Sequence, residues 1–333
     1  MLYIHQTSCI SPQQGLDSPR GPVNNLLKAV EPLYEGIPGN VLRRMSKSVK
    51  MGIGAALPLL IHSPAGILIG TGYGGMEDSI RFLNQIIEYE EGMLTPGTFV
   101  QSTANAIASQ LGLLHHNRGY NITFVNQGLS FESALLDASM LAREHPGKTW
   151  LVGGVDEISH HNYRFECAEG WYKREDLDSN GLYGSDTPGT IAGEGAAVFL
   201  VNEQPKGALA RIGKIALLGG EDKAALRSAL TGLLEGTIPD LLLSGENGDI
   251  RALPWYQLAE SVVGPGTGIA RFKHLCGESP TASAFALWLA CNLPATLPAH
   301  LLKRAPDRAP RHILFYNNYK FTQHSLILLE RFP

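Results

Sequence analysis

The strongest constraint in this sequence is an alternation that occurs twice. Short apolar runs, GILIGTG, NITFVNQ and TWLVGGVDE, are separated by longer segments with helical spacing, EDSIRFLNQIIEYEE, NAIASQLGLLHH and FESALLDASMLAREH. Buried β runs need neighbouring strands, and helices with one apolar stripe need a surface to cover. The pattern therefore predicts an α/β fold with a sheet largely covered on both faces. Strand character returns in AGEGAAVFLVNEQ, and after Pro205-Lys206-Gly207 a second round begins. It runs through ARIGKIALLG, a helix over 222–234, DLLLSG, another helix, ASAFALWLACNL, HILFYNN and HSLILLE. Two α/β halves, residues 1–204 and 205–333, fit this better than two independent domains. Residues 162–188, rich in Tyr, Asp, Glu and Gly, read as a long surface excursion.

Composition excludes several function classes. At 333 residues, 44% hydrophobic and 17% charged, the chain can bury a sizeable core. A formal net charge of -4 and the lack of any run of five like charges argue against a nucleic-acid or membrane-binding surface. Cys9, Cys167, Cys276 and Cys291 form no Cys-x-x-Cys pair and follow no signal peptide, which points to reduced thiols and a cytoplasmic location. The apolar stretch AALPLLIHSPAGILIG is broken by His62, Ser63 and Pro64, so no membrane span is expected. His115-His116 and His160-His161 lack metal-binding spacing, and neither a metal nor a cofactor is expected.

The segment NITFVNQGLSFESALLDA has the strand, turn and helix on which many α/β enzymes mount a nucleophile, where free backbone N–H groups and the positive end of the helix dipole meet. Its turn contains Asn126, Gln127 and Gly128 but no cysteine. Gly128-Leu-Ser130 is part of a nucleophile-elbow pattern with the last glycine missing. Ser130 is better read as an N-cap, because Phe131, Ala134, Leu135, Ala138, Leu141 and Ala142 after it form the stripe of a buried helix. Gly70, Gly72 and Gly75 satisfy a dinucleotide-binding spacing after a strand. The acidic residues at 88–91 fall in a helix-like run, however, and tight-turn glycines are the better reading.

Several segments together resemble the β-ketoacyl synthases, condensing enzymes of the thiolase-like superfamily. They are RRMSKSVKMGIGAA, GTGYGG, TPGTFVQSTANAIASQLGL, the unbroken run over 119–159, AGEGAAVFLV, KHLCGESPTASAF and FTQHSLILLE. The resemblance implies an αβαβα layered fold of two similar halves, with the second half shortened. It also implies where a condensing enzyme would keep its parts: a cysteine that carries the acyl chain, two histidines for decarboxylation and an oxyanion hole. The cysteine position falls on Gly128, or on Gln127 if the turn shifts by one residue. The first histidine position falls on Gly245, and the second, five residues after Lys273, on Glu278. The glycine-rich oxyanion loop reads Asn318, Tyr319, Lys320, Phe321, whose bulk restricts what glycines would permit.

Loss of all these parts leaves no condensing mechanism. The resemblance then implies a chain-length-factor-like subunit that pairs with an active ketosynthase in type II polyketide, aryl polyene or flexirubin-like synthesis, reaching acyl carrier protein through that partner. Phe99, Gln101, Thr103, Gln127 and Phe131 are its expected tunnel-wall or dimer-interface residues, with ordinary core packing as the alternative for each. Lys273 and Glu278 could form a buried ion pair or a solvated surface pair. Two other functions are an acyl-carrier-protein enzyme using Gln127 for decarboxylation or Ser130 for hydrolysis, and a nucleotide-binding enzyme built on residues 70–75.

Overall fold

A computed structural model describes residues 1–178 and 181–332. Its strands join a single 11-stranded sheet, apart from one short parallel pair. The strands are β1 (Leu2–Ile10), β2 (Gly66–Gly70), β3 (Tyr120–Phe124), β4 (Trp150–Asp156), β5 (Gly195–Asn202), β6 (Ala210–Gly219), β7 (Leu241–Ser244), β8 (Gly268–Arg271), β9 (Leu302–Arg304), β10 (His312–Tyr319) and β11 (Gln323–Arg331). The first half runs β3-β2-β4-β5-β1 across the sheet and the second runs β8-β7-β10-β11-β6, with β9 added outside β8. Both sets follow the same order, third-second-fourth-fifth-first, with the same senses: parallel between the first three neighbours and antiparallel for the last two pairings. The two halves are therefore structural repeats, although their sequences share no visible repeat.

The halves meet where β1 pairs with β6 through Leu2↔Ile212, Tyr3↔Arg211 and Ile4↔Ala210. A bulge between Ile4 and Gln6 then lets β1 continue along β5.

Three hydrophobic clusters define the layers. Helices α1 (Lys47–Ala56) and α4 (Ala106–Leu114) cover the outer face of the first half. Helices α7 (Lys223–Leu234) and α8 (Leu253–Val263) cover that of the second. Between the sheets lie α5 (Ser130–Glu144) and α10 (Ala282–Asn292). Helix α10, ASAFALWLACN, is apolar all round because it is buried all round; only Trp288 and Asn292 escape full burial. Local signals set the helix starts: Ser46 Oγ accepts from Val49 N–H ahead of α1, and Asp222 caps α7 through the Ala224 N–H at 2.7 Å. Helices α2 (Met76–Glu88), α3 (Pro96–Gln101) and the short α9 (Lys273–Cys276) complete the set used below.

The expected excursion over 162–188 opens differently. Its first residues belong to helix α6 (His160–Ala168), started by Ser159 Oγ, which accepts from Asn162 N–H. Irregular chain begins only after it, and residues 179–180 lie outside the described residues.

The central layer tolerates little added volume. A Cβ on Gly154 of β4 would sit 2.7 Å from Ala284 Cβ and 3.2 Å from Phe131 Cβ, so strand and both central helices touch there without a side chain between them. Gly154→Val is expected to cost about 1–3 kcal/mol, as overpacking of a core does, read as a lowered denaturation midpoint at unchanged m-value.

Candidate functional site

The turn after β3 is built around one left-handed residue. Gln127 has φ 45°, and Asn126 before it has φ -141° and ψ 43°. Ser130 is the first residue of α5 and not its N-cap, which corrects the sequence reading. Its hydroxyl closes the turn instead, accepting from Asn126 N–H at 2.8 Å and donating to the Gln127 carbonyl at 2.7 Å. A hydroxyl engaged both ways is a turn staple, and no histidine bonds it. Gln127 is exposed and Gly128 is buried. A Cβ on Gly128 would lie 2.3 Å from Tyr319 Cβ, so the Tyr319 side chain fills the space a residue-128 side chain would need.

The positions expected for the two histidines are also occupied. A Cβ on Gly245 would meet Asn317 Oδ1 at 2.3 Å. Glu278 forms an ion pair with Lys273 at 2.5 Å and accepts from Asn247 Nδ2 at 2.9 Å. Lys273 is fully buried and Glu278 nearly so, which decides for the buried pair over the solvated one. Removing either partner would strand the other charge in the interior.

The Asn318–Phe321 segment forms the tip of the β10–β11 hairpin, and it departs from the expectation for bulky residues. Lys320 and Phe321 both adopt left-handed backbone, φ 49° and 67°, as glycines would. Surrounding contacts hold them there. Phe321 packs on Trp171 with ring centroids 5.3 Å apart, Arg251 lies over both rings, and Lys320 pairs with Glu166. Glu166, buried on α6, also accepts from Tyr73 at 2.6 Å and from Tyr172 at 2.7 Å, while the Tyr73 and Tyr319 hydroxyls are 2.8 Å apart. Two tyrosines and a lysine thus converge on one carboxylate, and Tyr319 joins the network through Tyr73. Burial, then the neighbouring Glu166 charge, raises the Tyr73 and Tyr172 pKa values, so both phenols stay protonated donors.

The glycine turn at residues 70–75 has its own occupant. Asp156, at the end of β4, accepts from Gly72 N–H at 2.9 Å, Tyr73 N–H at 3.1 Å and Thr71 Oγ1 at 3.0 Å. A Cβ on Gly72 would collide with Pro280 and one on Gly75 with the Gln101 carbonyl. The glycines permit close packing, and the N–H groups a phosphate would use are taken. Burial pushes the Asp156 carboxyl up to about 6 against the pull of those N–H donors.

The expected tunnel or interface residues do not share one environment. Phe99 and Thr103 are exposed, and Phe99 packs on Phe82 at 5.3 Å between centroids. Gln101 is buried with Oε1 unpartnered. Phe131 lies in the central core with its ring 5.6 Å from that of Phe199. Gln127 is exposed on the turn, together with Val125 and Asn126.

Sequence reading missed Asp156, Glu166 and Glu132. Glu132, on the first turn of α5, is fully buried, with both carboxyl oxygens unpartnered by hydrogen-bond geometry. Ser283 and Ser325 are close enough to favour its ionised form, and Lys273 acts in the same direction, yet burial dominates and lifts the carboxyl to about 7. An acid in the third position of an otherwise apolar helix start, FESALLDA, was the available signal. Among the described residues no group of three or more His, Cys, Asp or Glu could hold a metal ion, and no helix is long and apolar enough to cross a membrane.

No family model matches this sequence, and no curated protein matches it. Solved structures do. A β-ketoacyl synthase from Burkholderia phymatum STM815 aligns with TM-score 0.76 at 15% identity, covering 100% of this chain and 99% of that one. The ishigamide ketosynthase/chain length factor aligns at 0.77 and 14%, covering 100% and 99%. A ketosynthase (ApeO) in complex with its chain length factor (ApeC) from Xenorhabdus doucetiae aligns at 0.74 and 13%, covering 99% and 98%. The chain therefore has the thiolase-like fold of β-ketoacyl synthases and of ketosynthase/chain length factor partners, as the resemblance implied.

Two outcomes test the site. Gly128→Cys is expected to destabilise the protein and leave the new thiol unalkylated by iodoacetamide, whereas Gly128→Cys with Tyr319→Gly should make the thiol reactive, read by intact mass. Glu132 has its folded pKa raised to about 7 from 4.5. Its contribution is therefore fully present below pH 4.5 and is lost as pH rises through 7. Between pH 4.5 and 8 the wild type should lose roughly 3 kcal/mol more unfolding free energy than Glu132→Gln, measured by urea titration at each pH.

Proposed function

We propose that this chain is a non-catalytic, chain-length-factor-like subunit that pairs with an active, cysteine-bearing ketosynthase in type II polyketide or fatty-acid-like synthesis. The observation that carries the reading is that the catalytic positions are occupied. Tyr319 covers Gly128, Asn317 covers Gly245, and Glu278 is committed to Lys273. A condensing enzyme needs an open position for a thioester and a free imidazole pair beside it.

Gln127, the alternative position for the lost nucleophile, has the left-handed φ of an elbow residue on the corner of a strand-to-helix turn, and its amide forms no thioester. The bare edge of β3 supports pairing. An unpaired edge strand is a template for another chain, and exposed Tyr120, Val125 and, on the adjoining α4, Leu113 lie at this one. The named neighbours include ketosynthase/chain length factor partners, which favours the same arrangement.

On this reading the partner supplies the cysteine, the histidines and the docking site for acyl carrier protein. Gln127 and the Phe99–Thr103 segment face the tunnel the partner uses, and Phe131 supports the turn from beneath. Aryl polyene or flexirubin-like products and a cytoplasmic location belong to the same proposal, as does the division into halves at 204/205.

Co-expression with a cysteine-bearing ketosynthase encoded nearby tests it. The expected result is a stable one-to-one heterodimer whose product length shifts with Gln127→Ala, read by mass spectrometry of the released chains. A homodimer of this chain that condenses malonyl thioesters by itself would overturn the proposal.

A further inference from the structure

A five-residue edge such as β3 provides only about 17 Å of backbone pairing, short of the roughly 800 Å² per partner that a stable interface buries. The adjoining surface continues it. Tyr120, at the start of β3, donates to Asp137 on α5 at 3.0 Å and so ties the edge to the middle of that helix. On the side of α5 away from the core, Leu136 and Met140 are 41% and 49% exposed. One turn further along lies a groove of about 500 Å³ between α5, β6 and α7, lined by Leu136, Arg143, Ile212, Ile215, Ala229 and Leu233.

The charges at this groove are unequal. Lys214 is paired with Glu235 at 2.7 Å, and Arg211 with Glu330 at 2.6 Å. Arg143 is exposed and makes no hydrogen bond or ion pair among the described residues. The groove thus offers apolar walls and, beside the Met1 terminus that also lines it, a guanidinium without a hydrogen bond or ion pair among the described residues, the complement of an apolar anchor with a carboxylate beside it.

We infer that the partner subunit's interface runs from the β3 edge along Leu136 and Met140 into this groove, where the partner seats an apolar side chain next to a carboxylate that pairs with Arg143. The inference rests on the pairing proposed above and names the surface that makes it. Helix α5, 15 residues and so about 22 Å long, carries the interface from the degenerate turn to the groove. Burying Leu136 and Met140 gives the association its apolar core, and Arg143 fixes register at the rim.

The test uses the full chain with its ketosynthase, measuring the heterodimer Kd by analytical ultracentrifugation at several salt concentrations. Arg143→Glu should weaken pairing at least tenfold, and Arg143→Ala should reduce the salt dependence. Leu136→Glu with Met140→Glu should weaken it about a hundredfold, with unchanged circular dichroism and melting temperature showing that the fold is kept. Val125→Asp serves as the edge-only comparison. If Val125→Asp weakens pairing while the α5 variants stay within twofold of wild type, the groove inference falls and the pairing stands. If no heterodimer forms, the pairing falls and the inference with it. If the α5 variants instead dissociate a homodimer of this chain, the surface is an interface but the inferred occupant is wrong.

Discussion

The structure depends on burying two helices, α5 and α10, between two sheets. Helix α10 has no polar face to expose, and the inner face of α5 carries Phe131, Ala134, Leu135, Ala138 and Ala142 into the same cluster. Enclosing them requires a sheet on each side, and the repeated strand order provides two. The same enclosure brings the starts of both helices to the region where a condensing enzyme of this fold would act. Gly154, Ala284 and Phe131 meet there at van der Waals range, so the geometry of the turn before α5 is fixed by packing and does not require chemistry to maintain it.

On the proposed reading, that separation of architecture from chemistry lets the fold persist without the catalytic parts. On the proposed reading, much of the volume that catalytic groups would use is taken by side chains, and a large cavity there would cost stability in proportion to its size. Tyr319, Asn317 and the Lys273–Glu278 pair occupy it. The replacements support one another, because Tyr319 reaches Glu166 through Tyr73, and Glu166 in turn holds Lys320 and the left-handed hairpin tip. Restoring one catalytic residue would therefore meet a neighbour already committed elsewhere.

Much of the fold was legible because strand and helix periods are local. The runs at 66–70, 150–156, 241–244 and 312–319 and the helices at 130–144 and 223–234 follow from their own residues. Less legible were features whose cause lies far along the chain. The first strand, LYIHQTSCI, mixes apolar and polar residues without clean alternation, because it is flanked by β5 and β6 from both halves and bulges between them. Asp156 explains the glycine turn at 70–75, yet it stands 84 residues from Gly72. Glu166 lies 154 residues from Lys320, in a segment that read as surface. Ser130 shows the opposite case, a residue type correctly linked to a helix start whose hydroxyl turned back to the preceding turn.

The repeat is also unequal at its two ends. The edge strand of the second half, β8, is covered by antiparallel β9, Leu302–Arg304, whereas its counterpart β3 in the first half has no such cover. A duplicated sheet with two bare edges would have a valence of two and could propagate head to tail into a filament. With that end blunted to the three residues of β9, the valence falls toward one. Edge-to-edge growth through β3 would then stop at a pair, because β9 offers a further subunit too little backbone to pair with.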